Sequence, residues 1–370
     1  MKILCVIDSL GSGGAQRQMV NLACGMKAKG HDVELLVYYP KLHFFRTVID
    51  EAGIKVHEIE KGPGFSWCVV IKIRNLLRTD SYQGVISFLG TPNVYCELAK
   101  LLLPFKMKLI VSERSNFTGE SGKFKRKLVR YLHFVANYVV ANSYTHSEYL
   151  RSNFWLRHKT YVIYNGYAMP QAKIKSYQAF QKKEFSYLVI GRINPGKNGI
   201  RLIESLIKYH EESGYVATFK WVGRQENNIE SLVVRRKMED LLLENPKIAA
   251  QWQWLGERDD IPELLHQCDA LIHVSLYEGL PNVVCEAFIA GCPVIASNVC
   301  DHPILVEDGV RGVLCDPFSP DSICKAIIRF EGFPDAERAQ LGNNARKYAE
   351  QHLTVGKMVA AYETLLTDSL

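Results

Sequence analysis

Nothing in this 370-residue chain approaches the ~18 consecutive apolar residues that a membrane-crossing helix needs. The opening MKILCVIDSLGSGG has only a short apolar core before Asp8, which suits a buried strand and not a secretory signal. Ten cysteines include no C-x-x-C pair, and Cys5, Cys24, Cys285 and Cys292 fall inside apolar patterns. That excludes a zinc ribbon or a disulfide framework, and it predicts reduced core thiols in a cytoplasmic protein. The eleven histidines lack metal-ligand spacing, so no metal site is expected. The first glycine loop, Gly11-Ser-Gly-Gly14, is not G-x-G-x-x-G, and no acidic residue closes the second strand. An NAD-type dinucleotide site is therefore disfavoured.

What is present is ordinary globular composition, 47% hydrophobic and 23% charged. The length suits two domains. The net charge of +6 is unevenly spread: residues 1–180 hold 25 of the 45 Lys+Arg and 12 of the 39 Asp+Glu, so that half is +13 and the rest −7. The first half should favour anionic surfaces or ligands.

Strand and helix patterns alternate along the chain, which predicts α/β architecture with parallel sheets. Apolar strands are expected at Ile3–Ile7, His31–Tyr38, Gly84–Phe88, Lys108–Ser112 and Tyr138–Ala141. The polar stretch Gln171–Lys183 breaks the alternation and reads as a linker. The pattern then restarts with a strand at Phe185–Ile190, a glycine-containing loop and a helix from Ile200. Two such starts half a chain apart suggest two Rossmann-like halves. The expected divisions are 1–172, 173–353 and a final helix, 354–370.

The most informative stretch is Glu278–Ser297, EGLPNVVCEAFIAGCPVIAS. It reads as a turn with Gly279 and Pro281, a helix from Asn282 to Ala290, a stop at Gly291 and another strand. Such a turn aims backbone N–H groups and a helix N-terminus outward, which suits an anion. Glu278 and Glu286 would repel a phosphate, so they suit neutral hydroxyls, as on a sugar. Solvated helix-surface charges are the plainer alternative.

The E-x7-E spacing, with G-L-P after Glu278 and A-x2-A-G-x-P-V-I-A after Glu286, resembles the signature of glycosyltransferase family 4. The resemblance implies the GT-B fold: two Rossmann-like domains facing across a cleft, with the C-terminal helix crossing back to the N-terminal domain. It implies retaining transfer from a nucleoside-diphosphate sugar, with UDP favoured. Glu278 and the backbone N–H groups of Gly279, Leu280, Pro281 and Asn282 (proline itself contributing none) would position the donor sugar, and Glu286 the ribose hydroxyls. In Gly191-Arg-Ile-Asn-Pro-Gly-Lys-Asn198, Arg192 and Lys197 would hold the diphosphate, unless they are simply solvated loop cations. Gly256 belongs to a segment resembling the clasp on the nucleotide base; strand–turn–helix packing without a ligand is the alternative. No D-x-D motif appears in context, so no metal or cofactor is expected.

In the first half, the G-G-A-x-R form of Gly13, Gly14 and Arg17 resembles the loop near donor diphosphate and acceptor; a tight turn without ligand is the alternative. Glu113 and Arg114 stand where many family members have a histidine, as in a subgroup acting on lipid-linked glycans. With Thr91 and Asn93 they are candidate acceptor residues, and Glu113 a candidate catalytic one beside Glu278, Arg192 and Lys197. Lys123–Phe134 reads as a basic amphipathic helix, with Phe124, Leu128, Tyr131 and Leu132 on one face. It suits contact with an anionic membrane surface, on the inner face of the plasma membrane, or a polyphosphate funnel; a packed helix with a solvated cationic face is the plainer alternative. The expected acceptor is a polyprenyl-diphosphate-linked glycan in surface-polysaccharide assembly, and no nucleic-acid partner is expected. A nucleotide-sugar epimerase or hydrolase on the same fold, or a non-catalytic sugar-nucleotide-binding partner, remains open.

Overall fold

The computed structural model describes the chain except residues 105–106, 115–128, 170–183, 216 and 369–370. The expected linker Gln171–Lys183 and residues 123–128 of the basic helix lie outside the described residues. The chain forms two compact units, Met1–Ala168 with Leu353–Leu370, and Met169–His352.

Among the described residues of the first unit, seven parallel strands lie in the order β3-β2-β1-β4-β5-β6-β7. They are β1 Lys2–Val6, β2 Asp32–Val37, β3 Lys55–Glu58, β4 Gly84–Phe88, β5 Lys108–Glu113, β6 Tyr138–Ala141 and β7 Thr160–Val162. Alternate residues of β1 face opposite sides: Ile3 and Cys5 enter one core, Leu4 and Val6 the other. Burial on both faces is why these strands read as unbroken apolar runs. The first core is closed by α1 (Gly14–Ala28) and by the last helix (Val355–Thr367). The second is closed by α3 (Trp67–Thr79) and α4 (Gly90–Leu101); α2 (Arg46–Glu51) and α5 (Tyr144–Arg151) complete the unit.

The return of the last helix is fixed in detail. Tyr167 N–H donates to Leu353 O (2.8 Å) and Val355 N–H to Tyr167 O (3.2 Å). A Cβ added at Gly25 of α1 would meet methyls of Val355 and Val359 at 2.7 Å, so the glycine permits this close helix crossing.

The described residues of the second unit repeat the plan with six parallel strands, β10-β9-β8-β11-β12-β13. These are β8 Ser186–Ile190, β9 Thr218–Val222, β10 Trp252–Gly256, β11 Ala270–His273, β12 Val294–Ser297 and β13 Gly312–Cys315. Their helices are α6 Gly199–Ser213, α7 Ile229–Glu244, α8 Pro246–Ala249, α9 Ile261–Gln267, α10 Asn282–Ala290, α11 His302–Val306, α12 Pro320–Gly332 and α13 Asp335–His352; the last helix, in the first unit, is α14. Each sheet reverses its strand order once, between β1 and β4 and between β8 and β11. Open α/β sheets bind ligands outside the carboxyl ends of strands at such a switch point.

Two helices depart from the sequence-based reading. Beyond Asn142, Ser143 Oγ accepts from His146 N–H (3.2 Å) and starts α5, a helix that the sequence pattern left unmarked. The sixteen-residue α7 went unmarked, because Ile229, Leu232, Val233 and Leu243 are exposed and leave no clean apolar stripe.

Candidate active site

The carboxyl ends of β8 and β11 build the first site. After β8 the chain turns through a short 3₁₀ segment, Pro195–Lys197, and Asn194 Oδ1 accepts from Lys197 N–H (3.2 Å). Asn198 follows with φ +60°, a left-handed conformation that asparagine tolerates. Its buried amide donates to Val274 O (3.1 Å) and Pro317 O (2.7 Å), tying the loop to the segments after β11 and β13. Leu276 N–H donates to Gly196 O (2.9 Å). Gly223, with φ +141°, lies where a Cβ would be 2.0 Å from Gly191 O, so only glycine lets the loops after β8 and β9 approach so closely.

This scaffold brings Lys197 onto Glu278: Nζ donates to Oε1 at 2.5 Å. His273 Nε2 lies 3.0 Å from the same oxygen, and Ser275 Oγ lies 3.3 Å from that nitrogen. Burial would raise the Glu278 carboxyl pKa, but the His273 hydrogen bond and the Lys197 charge outweigh it and hold the group far below its ordinary value. Burial, reinforced by Lys197, pushes His273 down, so it is a neutral ring donating Nε2–H to an ionised Glu278. Behind it, burial pushes His302 down to about 3. Its Nδ1 lies 2.9 Å from Ser297 O. Cys300, at φ +51°, places its Sγ 3.4 Å from the Glu278 N–H that donates to it.

Pro281 N-caps α10 without a side-chain cap, so this helix presents its N-terminus beside Glu278. Gly279 and Leu280 form the approach, and Asn282 and Glu286 lie one turn apart on the same face. Arg192 is placed differently from Lys197. Its guanidinium is largely exposed and pairs with Glu226 through Nη1 (2.6 Å), away from Glu278. Gly256, at φ +66°, ends β10, and its carbonyl accepts from Gly223 N–H (2.8 Å).

At the first unit's switch point lies a cleft of about 770 Å³. Asp8 after β1, Leu89, Gly90 and Thr91 after β4, and Glu113 and Arg114 after β5 line it. Leu89 sits at φ +78°, ψ 154°, a region that side chains rarely adopt, held by its N–H donating to Ser112 O (3.1 Å). Strain of this kind clusters at functional sites. Gln16 Nε2 donates to Asp8 Oδ1 (2.8 Å), while Gly13 caps α1, Gly14 begins it, and Arg17 is exposed one turn further on. Tyr39, Lys61 and Phe65 also line the cleft, and Lys61 Nζ donates to Tyr39 Oη (3.0 Å). Asp8, Tyr39, Lys61, Phe65, His273 and His302 carried no sequence signal: they come from separate loops or lie inside apolar or unremarkable runs.

Two expected acceptor residues sit deeper than their positions suggested. Asn93 is fully buried, and its Nδ2 donates to Ser112 O (3.1 Å), locking α4 to β5 rather than facing the cleft. Arg114 donates from Nη1 to Asn165 Oδ1 (2.5 Å) and lies 3.6 Å over the Phe88 ring. Glu113 is surrounded by donors. Arg130 binds it through Nε and Nη2, both 3.0 Å at their shortest, and His133 Nε2 and His146 Nε2 lie at 2.9 and 3.2 Å. Burial would raise the Glu113 pKa, but these partners hold it well below the ordinary range. His133 Nδ1 lies 2.6 Å from Glu97 Oε1, so both its ring nitrogens face carboxylates. Burial would lower the His133 pKa, yet the two carboxylates raise it to about 9. Glu113 thus holds Arg130 and the wall of the cleft, a positioning arrangement rather than that of a free acid or base.

Two parallel, doubly wound units with the same strand order through their first six strands are the GT-B fold. The family models place it further: residues 12–168 match Glycosyltransferase Family 4, and residues 170–348 match Glycosyl transferases group 1. The chain belongs to this group of glycosyltransferases. A Campylobacter jejuni relative is named GalNAc-alpha-(1->4)-GalNAc-alpha-(1->3)-diNAcBac-PP-undecaprenol alpha-1,4-N-acetyl-D-galactosaminyltransferase. It is 25% identical over 369 residues, covering 94% of this chain and 93% of the relative. An Escherichia coli relative, UDP-Gal:alpha-D-GlcNAc-diphosphoundecaprenol alpha-1,3-galactosyltransferase, is 27% identical over 149 residues, 40% of this chain and 37% of its own. The crystal structure of Anabaena Alr3699/HepE in complex with UDP superposes with a TM-score of 0.81 at 21% identity, covering 99% of this chain and 100% of that one.

Proposed function

We propose that this glycosyltransferase moves a hexose or N-acetylhexosamine from a UDP-sugar to a hydroxyl of a polyprenyl-diphosphate-linked glycan, with retention at the anomeric carbon. The observation that carries this reading is the Lys197–Glu278–His273 cluster at the switch point of the second unit, beside the N-terminus of α10. The names of the Campylobacter and Escherichia coli relatives support the acceptor class, and the UDP in the Anabaena structure supports the nucleotide.

In this reading Lys197 and the α10 N-terminus neutralise the leaving diphosphate, without a metal. Arg192 joins them by leaving Glu226. Glu278, kept ionised by Lys197 and His273, accepts hydrogen bonds from donor-sugar hydroxyls; Gly279 to Asn282 supply backbone donors. Glu286 takes the ribose hydroxyls, and Gly256 lies against the base. The acceptor enters along the cleft lined by Asp8 and Thr91. Its hydroxyl oxygen bonds to the anomeric carbon on the face from which the diphosphate departs. The carbon–oxygen bond to the diphosphate breaks with its electron pair on the leaving group, and a phosphate oxygen takes the acceptor proton.

A radiolabelled-sugar transfer assay with undecaprenyl-diphosphate glycans tests this. The expected result is acceptor-dependent product with a UDP-sugar. Release of free sugar at the same rate without acceptor would instead establish a hydrolase.

A further inference from the structure

We infer that Tyr39, Lys61 and Phe65 form a second saccharide subsite in the first unit's cleft, for the acceptor sugar next to the one that is extended. The inference rests on the transferase reading and adds to it how many sugars the enzyme reads. Aromatic rings run in contact along one wall of the cleft. Tyr39 meets Tyr38 with centroids 5.0 Å apart, Tyr38 meets Tyr95 at 5.5 Å, and Tyr95 meets Phe65 at 5.2 Å. Trp67 continues the row, 5.4 Å from Phe65. The inner rings, Tyr38 and Tyr95, are buried, while Tyr39, Phe65 and Trp67 are 37%, 52% and 58% exposed. The buried pair is a fixed backing. Tyr38 follows β2, Tyr95 comes from α4, and Ser66 N–H, just ahead of α3, donates to Tyr95 Oη (3.1 Å). The outer rings would gain from burial, yet this packing holds them at the cleft, as a ligand-binding wall requires.

Polar groups stand at the edges of these rings. Lys61 Nζ donates to Tyr39 Oη (3.0 Å) and to Gly62 O (3.1 Å). The Tyr39 hydroxyl, accepting from the lysine, keeps its own hydrogen for an acceptor in the cleft. Across the cleft, the bonds to Asp8 from Ser9 Oγ (3.3 Å) and Gln16 Nε2 (2.8 Å) both end on Oδ1, which leaves Oδ2 to accept from a ligand hydroxyl. A pyranose has C–H groups on its faces and hydroxyls around its rim. It therefore fits a flat apolar ring edged by donors and acceptors. A nucleotide fits worse, because its phosphates would meet Asp8. Asp8 and Thr91 then hold the sugar that is extended, and the neighbouring sugar stacks on Phe65 with its hydroxyls on Lys61 and Tyr39.

The full chain is titrated calorimetrically, without donor, with an N-acetylhexosamine monosaccharide and disaccharide, each on farnesyl diphosphate. The disaccharide should bind about tenfold more tightly. Phe65→Ala and Lys61→Met should each remove that difference, and Phe65→Trp should keep it. Thr91→Val should instead weaken both ligands alike. With a UDP-sugar added, the ratio of kcat/KM for the two acceptors should follow the same pattern. Melting temperatures check that the variants fold. Equal binding of the two glycans, binding of neither, or equal losses for both in Phe65→Ala would overturn the subsite. Transfer without preference for the disaccharide would also overturn it, while leaving the transferase reading in place. The predicted binding pattern without any transfer would keep the saccharide site and contradict the transferase reading. A dimer that Phe65→Ala dissolves, in a chain that ignores the second sugar, would give the rings to a second copy and overturn the subsite too.

Discussion

Lys197 and Glu278 hold each other, so neither can be changed alone without consequence for the other. Lys197→Met should deprive the Glu278 carboxylate of its lysine partner, costing about 1–3 kcal/mol of stability. It should also remove a charge that stabilises the departing diphosphate, lowering kcat by about a hundredfold or more. Denaturant melts and steady-state transfer kinetics read the two effects separately; an unaltered kcat would remove Lys197 from the chemistry. Glu286→Ala should lower transfer by about two orders of magnitude, as loss of a donor anchor would, with the fold intact. His133 gives a second residue-scale prediction. Its pKa is raised to about 9 in the folded chain against ~6.5 when unfolded. The stability from its two carboxylate contacts is therefore full below about pH 6.5 and is lost as pH rises through about 9. Urea unfolding across that range should show the decline, and His133→Gln should abolish the decline. At this scale distinctive neighbours singled out the loops of Lys197 and Glu278, whose side chains the fold brings together. His273 and Arg130 were not singled out. One is a polar residue inside an apolar strand, and the other meets Glu113 across seventeen residues of chain.

Among elements, the parallel strands were the most legible. Burial on both faces leaves runs such as Ile3–Ile7 with no polar interruption. Helices whose outer faces are also apolar were the least legible: α7 exposes Ile229, Leu232 and Val233, which blurs its stripe. The packing of α14 on α1 was expected only through family resemblance, since nothing in its own letters says which unit it joins. Its residues Tyr362, Leu365 and Leu366 are buried in the first unit's core. Gly25→Val should force the two helices apart and destabilise the protein by about 1–3 kcal/mol. A melting temperature equal to that of the wild type would mean that the crossing is looser than the 2.7 Å approach indicates.

For the whole molecule, the two sheets repeat one plan, and the candidate site residues gather where the order of the described strands reverses. That repetition was visible as two strand–glycine–helix starts, whereas the cleft residues Asp8, Tyr39, Lys61 and Phe65 converge only on folding. The proposed function requires the second unit's switch point to bind a nucleoside-diphosphate sugar. It is tested most directly by thermal melting of the purified chain with UDP, GDP, ADP and their sugar conjugates, without added metal. A ligand at about a hundred times its dissociation constant adds about 2.7 kcal/mol, a shift of several degrees. UDP and UDP-sugars should raise the melting temperature, and Glu286→Ala should largely remove that rise. No shift with any nucleotide, or an equal shift in Glu286→Ala, would contradict the proposed function.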